Sequence, residues 1–378
     1  MKLFVFFSLF FTTLNIMAQY DSNKIADSLY LLGNYSKAIA YYQKGESTIN
    51  NQISIAKAYN AIGNYDGAIQ KYEQIIAKDS LQIIAQYELG KLYYKTSQTN
   101  KAKSIFKLLV KKDSLNPNYY YQIGMIKMQE KDSSFIVDLK KAVKIDSTHL
   151  KSIQEIAKHY LINFTKDSTL YYTDLGLRFY KNSPALTSLK GQYLYTVDKD
   201  SAAIVEFEKL LTLGQKTEFI YEKLANAYLS LNDYENALKY YEILLVIDDE
   251  NPRTHYNMGI AYQQKQENEK AIYHIEESLR LKYVSKANEY LKLTELYKDI
   301  NDLKNTIKYY KLLINEVPDY TMGYYQLALM SDVYYKDPNV KLYHFQNFRD
   351  KASSENKMTE YADRRISELK AEIHLQRE

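Results

Sequence analysis

The strongest constraint on the fold of this chain is a period. Small residues recur at Ala56, Gly90, Gly124, Ala157, Gly191, Ala225, Gly259, Thr294 and Ala328, at a nearly constant interval. A second series runs through Ala68, Ala102, Ala203, Ala237, Ala271 and Thr306. Pro117, Pro184, Pro252 and Pro318 lie close to two periods apart. A unit of this length cannot bury its apolar face alone, so the units must stack, each covering its neighbour. The first unit, around Ala26 and Ala38, is shorter than the rest.

Each period holds two amphipathic helical stretches. In TEFIYEKLANAYLSLNDYENALKYYEILLVIDDENP (217–252), Tyr221, Leu224, Ala225 and Tyr228 share one helical face; Leu238, Tyr241, Leu244 and Leu245 share the next. Between the two stands Gly33, Gly63 or Asn232, in the phrases GNYSKAIAYY, GNYDGAIQKY and NDYENALKYY. Glycine and asparagine tolerate the left-handed conformation that ends a helix. The following helix is expected to open on an Asp or Ser cap, as at Asp132-Ser133, Asp167-Ser168 and Asp200-Ser201. Two antiparallel helices approach closely only where small side chains meet, which gives both periodic series a cause. Tyrosine, with 40 copies and no tryptophan, fills the flanking space, while the scarcity of glycine (11) and proline (5) suits long helices.

The pattern resembles the tetratricopeptide repeat, a helix–turn–helix unit of about 34 residues. In that family small residues stand near positions 8 and 20, Tyr near 11, an aromatic near 24 and Pro near 32. Met258-Gly259, Tyr262, Ala271, Ser278 and Leu279 occupy such places in 252–285, and Tyr297, Tyr310 and Pro318 in the next unit. The Trp usual at position 4 is replaced by Tyr120, Tyr221 or His255. The fourth to sixth units match least, with Phe135 or Ile136 where Ala is expected. The resemblance implies an all-α fold, a right-handed superhelical solenoid of antiparallel helix pairs with about ten repeats over 19–352. The tail 353–378 carries Met358, Ala362, Ile366, Leu369 and Ile373 on one stripe and reads as a C-terminal capping helix, with Arg364 and Arg365 on its wet face.

Residues 1–18, MKLFVFFSLFFTTLNIMA, have one lysine, an apolar run from Leu3 to Phe11 and a small Ala18. They read as a cleaved secretory signal, too short to span a bilayer comfortably. The expectation is export, to the periplasm or outer surface of a Gram-negative bacterium, with no membrane insertion after cleavage. There is no cysteine, so packing rather than disulfides must stabilise the fold. Lys and Arg number 50 against 46 Asp and Glu, a net +4 with no basic block, which argues against nucleic acid as the partner.

Little in the sequence suggests chemistry. The 11 glycines form no phosphate-binding or nucleophile motif, and none of the six histidines stands at the helical spacing from another that pairs two ligands on one face. No catalytic residue, cofactor or metal is expected, and the chain reads as a non-enzymatic scaffold. Two rival readings stay open: an envelope hydrolase or enzyme accessory with a carboxylate pair assembled from distant helices, and a purely architectural rod.

The resemblance further implies that ligand contacts gather near positions 2, 5, 9, 12 and 13, on first helices lining a concave groove. In repeats two to five these are Lys57, Tyr87, Lys91, Tyr94, Lys95, Tyr121, Lys151 and Lys158; in repeats seven to ten they include Glu222, Glu295, Asp299 and Asp332, with Arg253 and Lys298 as exceptions. A Lys–Tyr surface suits a partner protein offering an extended, acidic peptide. The Lys and Asn clamp with which chaperone-binding members hold a C-terminal carboxylate is not recognisable in any three adjacent repeats. Finally, Asp-Ser followed by an aliphatic residue or Thr, as at Asp79-Ser80-Leu81, Asp113-Ser114-Leu115 and Asp146-Ser147-Thr148, resembles a short bacterial O-glycosylation signal, though Asp-Ser also suits helix ends.

Overall fold

A computed structural model describes residues 22–164, 166–282 and 285–375. Residues 1–18, read above as a secretory signal, lie outside them. Among the described residues the chain is all helix: α1 through 22–31, α2 (Tyr35–Lys44), α3 (Ile49–Ala61), α4 (Tyr65–Lys78), α5 (Ile83–Lys95), α6 (Thr99–Lys112), α7 (Pro117–Gln129), α8 (Phe135–Ile145), α9 (Leu150–Ile162) and α10 (Lys166–Phe179). There follow α11 (Pro184–Thr196), α12 (Asp200–Thr212), α13 (Glu218–Ser230), α14 (Tyr234–Ile247), α15 (Pro252–Gln264), α16 (Asn268–Leu281), α17 (Ala287–Asp299), α18 (Leu303–Glu316), α19 (Thr321–Tyr334), α20 (Pro338–Lys351) and α21 (Lys357–Leu375). Odd-numbered helices are the first of each pair, and within α2–α10 and within α12–α21 each helix packs on the next. By compactness the chain divides into two units, 1–189 and 190–378, the division falling within α11.

The recurrent phrase encodes the turn. Gly33 and Gly63 adopt φ of +77° and +80°, and Asn232 and Asn301 take the same slot at +60° and +58°. The next residue caps the second helix: Asn64, Asp233 and Asp302 each accept a hydrogen bond from the backbone N–H three positions on. The expected caps fall elsewhere. Asp200 is already inside α12, Asp167 lies in the first turn of α10, and Ser134 precedes α8 without a side-chain bond. Asp132 instead accepts from Ser134 N at 2.9 Å, tightening the turn rather than capping the helix.

The periodic small residues sit at the crossings. Ala56, Ala157, Ala225, Thr294 and Ala328 are fully buried. A methyl group added at Gly259 would stand 2.5 Å from Ile275 Cδ1, and one at Gly90 2.8 Å from the Phe106 ring. Side chains of the second helix thus rest directly on the first helix's backbone. Around them runs a recurrent ring pair. Tyr160 stacks on Tyr172, Tyr228 on Tyr240 and Tyr297 on Tyr309, at centroid distances of 5.5–5.9 Å. A glutamate from the preceding second helix accepts from the tyrosine: Glu73 from Tyr93, Glu208 from Tyr228 at 2.6 Å, and Glu276 from both Tyr297 (3.0 Å) and Tyr309 (2.9 Å).

In the first unit, Ala56, Tyr72, Leu89, Phe106 and Ile123 belong to one core, and Leu139, Ile153, Ile156 and Leu186 to another. In the second, Ala271, Ile275, Leu293 and Leu296 pack together, and α21 lays Ala362 and Leu369 against Phe345 and Phe348 of α20. Arg365 is not on a wet face: its guanidinium grips Asp332 of α19 through two bonds of 2.9 and 3.0 Å. That ion pair fastens the terminal helix to the repeat before it.

Candidate interaction surface

The first helices of the first unit carry all eight residues expected there. On α5, Tyr87 is half-buried, its ring edge-on to Phe106 at 5.8 Å and its hydroxyl 3.4 Å from Gln122 Nε2 of α7. Tyr94 donates to Met125 O of α7 at 3.4 Å. Tyr121 of α7 faces His149 at 5.5 Å, and the Lys151 ammonium lies 6.0 Å from its ring centre. The structure thus places Tyr87, Tyr94 and Lys151 near Tyr121, across α5, α7 and the start of α9. Burial raises the pKa of Tyr94 and Tyr121, and the Glu155 carboxylate raises both further. These phenols therefore stay neutral and offer flat, partly apolar faces.

The lysines are less uniform. Lys91 is ion-paired with Glu88 at 2.9 Å and lies 5.5 Å from the Tyr87 ring. Lys95 turns toward the start of α4, 4.4 Å from the Tyr65 ring centre. Lys57 borders a cleft of ≈ 280 Å³ with Asp27, Tyr30 and Tyr42. Lys57, Lys151 and Lys158 are exposed. Sequence reading missed Glu88 and Glu155, the acids on this surface. Glu88 stands three residues before Lys91 on the same helix, a pairing the sequence already offered, whereas Glu155 meets Tyr94 and Tyr121 only once neighbouring first helices stand side by side.

In the second unit, α13 and α15 form a polar recess of ≈ 140 Å³. Asn226 is its hub, accepting from Tyr241 OH at 2.7 Å and from Asn257 Nδ2 at 3.0 Å, with Glu222 within 3.5 Å of its own amide. Arg253 stands 3.6 Å from Glu222. Asn226 and Asn257 escaped the sequence reading, which sought a lysine-bearing clamp, whereas this recess pairs its asparagines with Glu222 and Arg253. Glu295 is paired with Lys292 at 2.7 Å, and Asp332 is taken up by Arg365, so neither is an open acceptor. Among the described residues no group of three or more His, Cys, Asp or Glu is placed to hold a metal ion.

Asp79, Asp113 and Asp146 of the Asp-Ser motifs each accept a backbone N–H two positions on, at 2.8–2.9 Å, shaping the loop between repeats. The charge, nearly balanced overall, is unevenly distributed. Residues 1–189 hold 24 Lys and Arg against 15 Asp and Glu, a net +9; residues 190–378 hold 26 against 31, a net −5.

Family models described as tetratricopeptide repeat match residues 53–83 and 84–114, the latter covering α5 and α6, and a TPR repeat model matches 225–266. No curated protein matches the chain in sequence. Among solved structures, a tetratricopeptide repeat protein from Parabacteroides merdae is similar at 13% identity and a TM-score of 0.42, over 74% of this chain and 99% of that one. MamA (41-end) of Desulfovibrio magneticus is similar at 19% identity and 0.43, over 45% and 96%. PilF of Pseudomonas aeruginosa is similar at 18% and 0.41, over 54% and 92%. With helix pairs recurring at a constant interval around buried small side chains, and repeat models matching in both units, the chain carries tetratricopeptide repeats.

Proposed function

We propose that the chain is a non-enzymatic scaffold of the bacterial envelope, and that it holds a partner protein through an extended acidic segment on the first helices of residues 49–162. Its repeats support a role in protein interaction generally. The observation that carries the finer reading is the nearness of Tyr87, Tyr94 and Lys151 to Tyr121, with exposed Lys57 and Lys158 on the first helices. Neutral phenol faces take apolar and peptide contacts, while the exposed ammonium groups take carboxylates. Affinity should be modest and salt-sensitive, because exposed charges are screened within about 10 Å at 0.1 M salt. Export, to the periplasm or outer surface, rests on the Lys2 and Leu3–Phe11 pattern.

The test is affinity capture from native envelope extract with wild-type protein and with Lys151→Glu combined with Lys158→Glu. A bound protein retained by the wild type, released by salt and lost in the variant is the expected result. An identical bound set with both proteins contradicts the assignment.

A further inference from the structure

We infer that the chain associates head to tail with a second copy of itself, the end of α6 in one copy docking on the end of α14 in the next. The surface is separate from the first-helix surface proposed above. Helix α6 contains five lysines and no acid. Toward its end Lys107 and Lys111 are exposed with no ion pair among the described residues, and between and beyond them Leu108 and Leu115 are 46% and 76% exposed. Lys112 is held by Ser80 O and Gln86, and the Asp113 carboxylate is turned onto Leu115 N. The end of α14 also exposes two apolar residues, here beside acids. Val246 and Ile247 are 88% and 49% exposed, flanked by exposed Glu242, Asp248, Asp249 and Glu250. The nearby arginines are already committed, Arg253 to Glu222 and Arg280 to Glu277.

The two patches match in chemistry, and one pair of opposite charges stands at equivalent positions. Lys107 follows Gly90 at the same interval at which Glu242 follows Ala225, so each holds the same place in its repeat. Lys111 and Val246 are equivalent by the same alignment, one helical turn further along. An apolar centre with a charged rim is the anatomy of a protein interface, and opposite rims favour the unlike pairing over either like pairing. Because one copy carries both patches, the contact is heterologous and leaves a free patch at each end, so association continues beyond a dimer unless a ring closes. Patches this small belong to the weak, transient class.

Sedimentation equilibrium of the full chain tests this. In about 50 mM salt the weight-average mass should rise with concentration above that of one chain, and in about 0.5 M salt it should fall back toward it. Lys107→Glu with Lys111→Glu should abolish the rise, as should Glu242→Lys with Asp249→Lys. Mixing the two variants should restore the rise, because the reversed patches complement each other and the two unchanged patches still pair. All four positions are exposed, and circular dichroism checks that each variant is folded. A chain that stays monomeric in low salt at every concentration overturns the inference, as does association that neither variant alters. The first-helix variants leave these patches intact, so failure here is distinguishable from failure of the proposed function.

Discussion

His274 holds the place in its repeat that Tyr172, Tyr240 and Tyr309 hold in theirs, and it stacks on Tyr262 at 5.4 Å as they stack on their own tyrosines. The imidazole then meets His255, the two Nδ1 atoms 3.0 Å apart, while His255 Nε2 lies 3.1 Å from Asp249 O. Donation to that carbonyl puts the His255 proton on Nε2, so its Nδ1 accepts from His274. Burial, then the neighbouring His255, pushes the His274 pKa down to about 4, with Glu277 opposing; burial and Lys311 do the same for His344. Both groups are neutral when folded and titrate near 6.5 when unfolded. The unfolded chain therefore binds more protons below that value, and stability falls as pH drops from about 6.5 toward 4. The expected loss is on the order of 2–4 kcal/mol, readable from urea unfolding at several pH values. His274→Tyr, which restores the common ring pair, should flatten the slope; an unchanged slope would place the titration elsewhere. This contact was not legible in the sequence, because a search for histidines at helical spacing sees one helix face, whereas these two stand on different helices, α15 and α16.

The helices themselves were largely legible, and for a physical reason. A helix crossing admits only small side chains, so the fold writes its own spacing into Ala56, Gly90, Ala225 and Gly259. The turn after each first helix was legible only where glycine or asparagine fills it. Elsewhere Ser97, Lys131, Asp198 and Gln266 adopt the same left-handed conformation, with φ of 57–62°, at positions no composition rule marks. Each carries a Cβ that this conformation disfavours by about 1–2 kcal/mol, partly offset by glycine's larger loss of freedom on folding. Gln266→Gly should therefore stabilise the protein by about 0.5–1 kcal/mol, seen as a higher urea midpoint at constant slope. A lower midpoint would mean that the Gln266 side chain contributes more than its backbone costs. The expected caps were misplaced because Asp132 is spent on Ser134 N within its turn and Asp167 and Asp200 lie inside their helices, whereas Asn64, Asp233 and Asp302 cap from the position after the left-handed residue.

Over the whole chain, composition concealed what structure separates. A net charge of +4 suggests no preference, yet +9 falls in one unit and −5 in the other, and within each unit first and second helices present different chemistry. The aromatic row of the first helices was anticipated from spacing, but its admixture of acids was not: Glu88 was legible as the i,i+3 partner of Lys91 and was passed over, while Glu155 carries no signal until adjacent repeats stack. First-helix recognition of a partner is the claim on which the functional account rests. Lysine-reactive cross-linking tests it most directly, with sites read by mass spectrometry on the protein captured together with its envelope partner. Cross-links to the partner should concentrate on Lys57, Lys91, Lys95, Lys151 and Lys158, whereas Lys107 and Lys111 should link only to other copies of this chain. Partner cross-links confined to second-helix lysines, with the first helices unmarked, would contradict it.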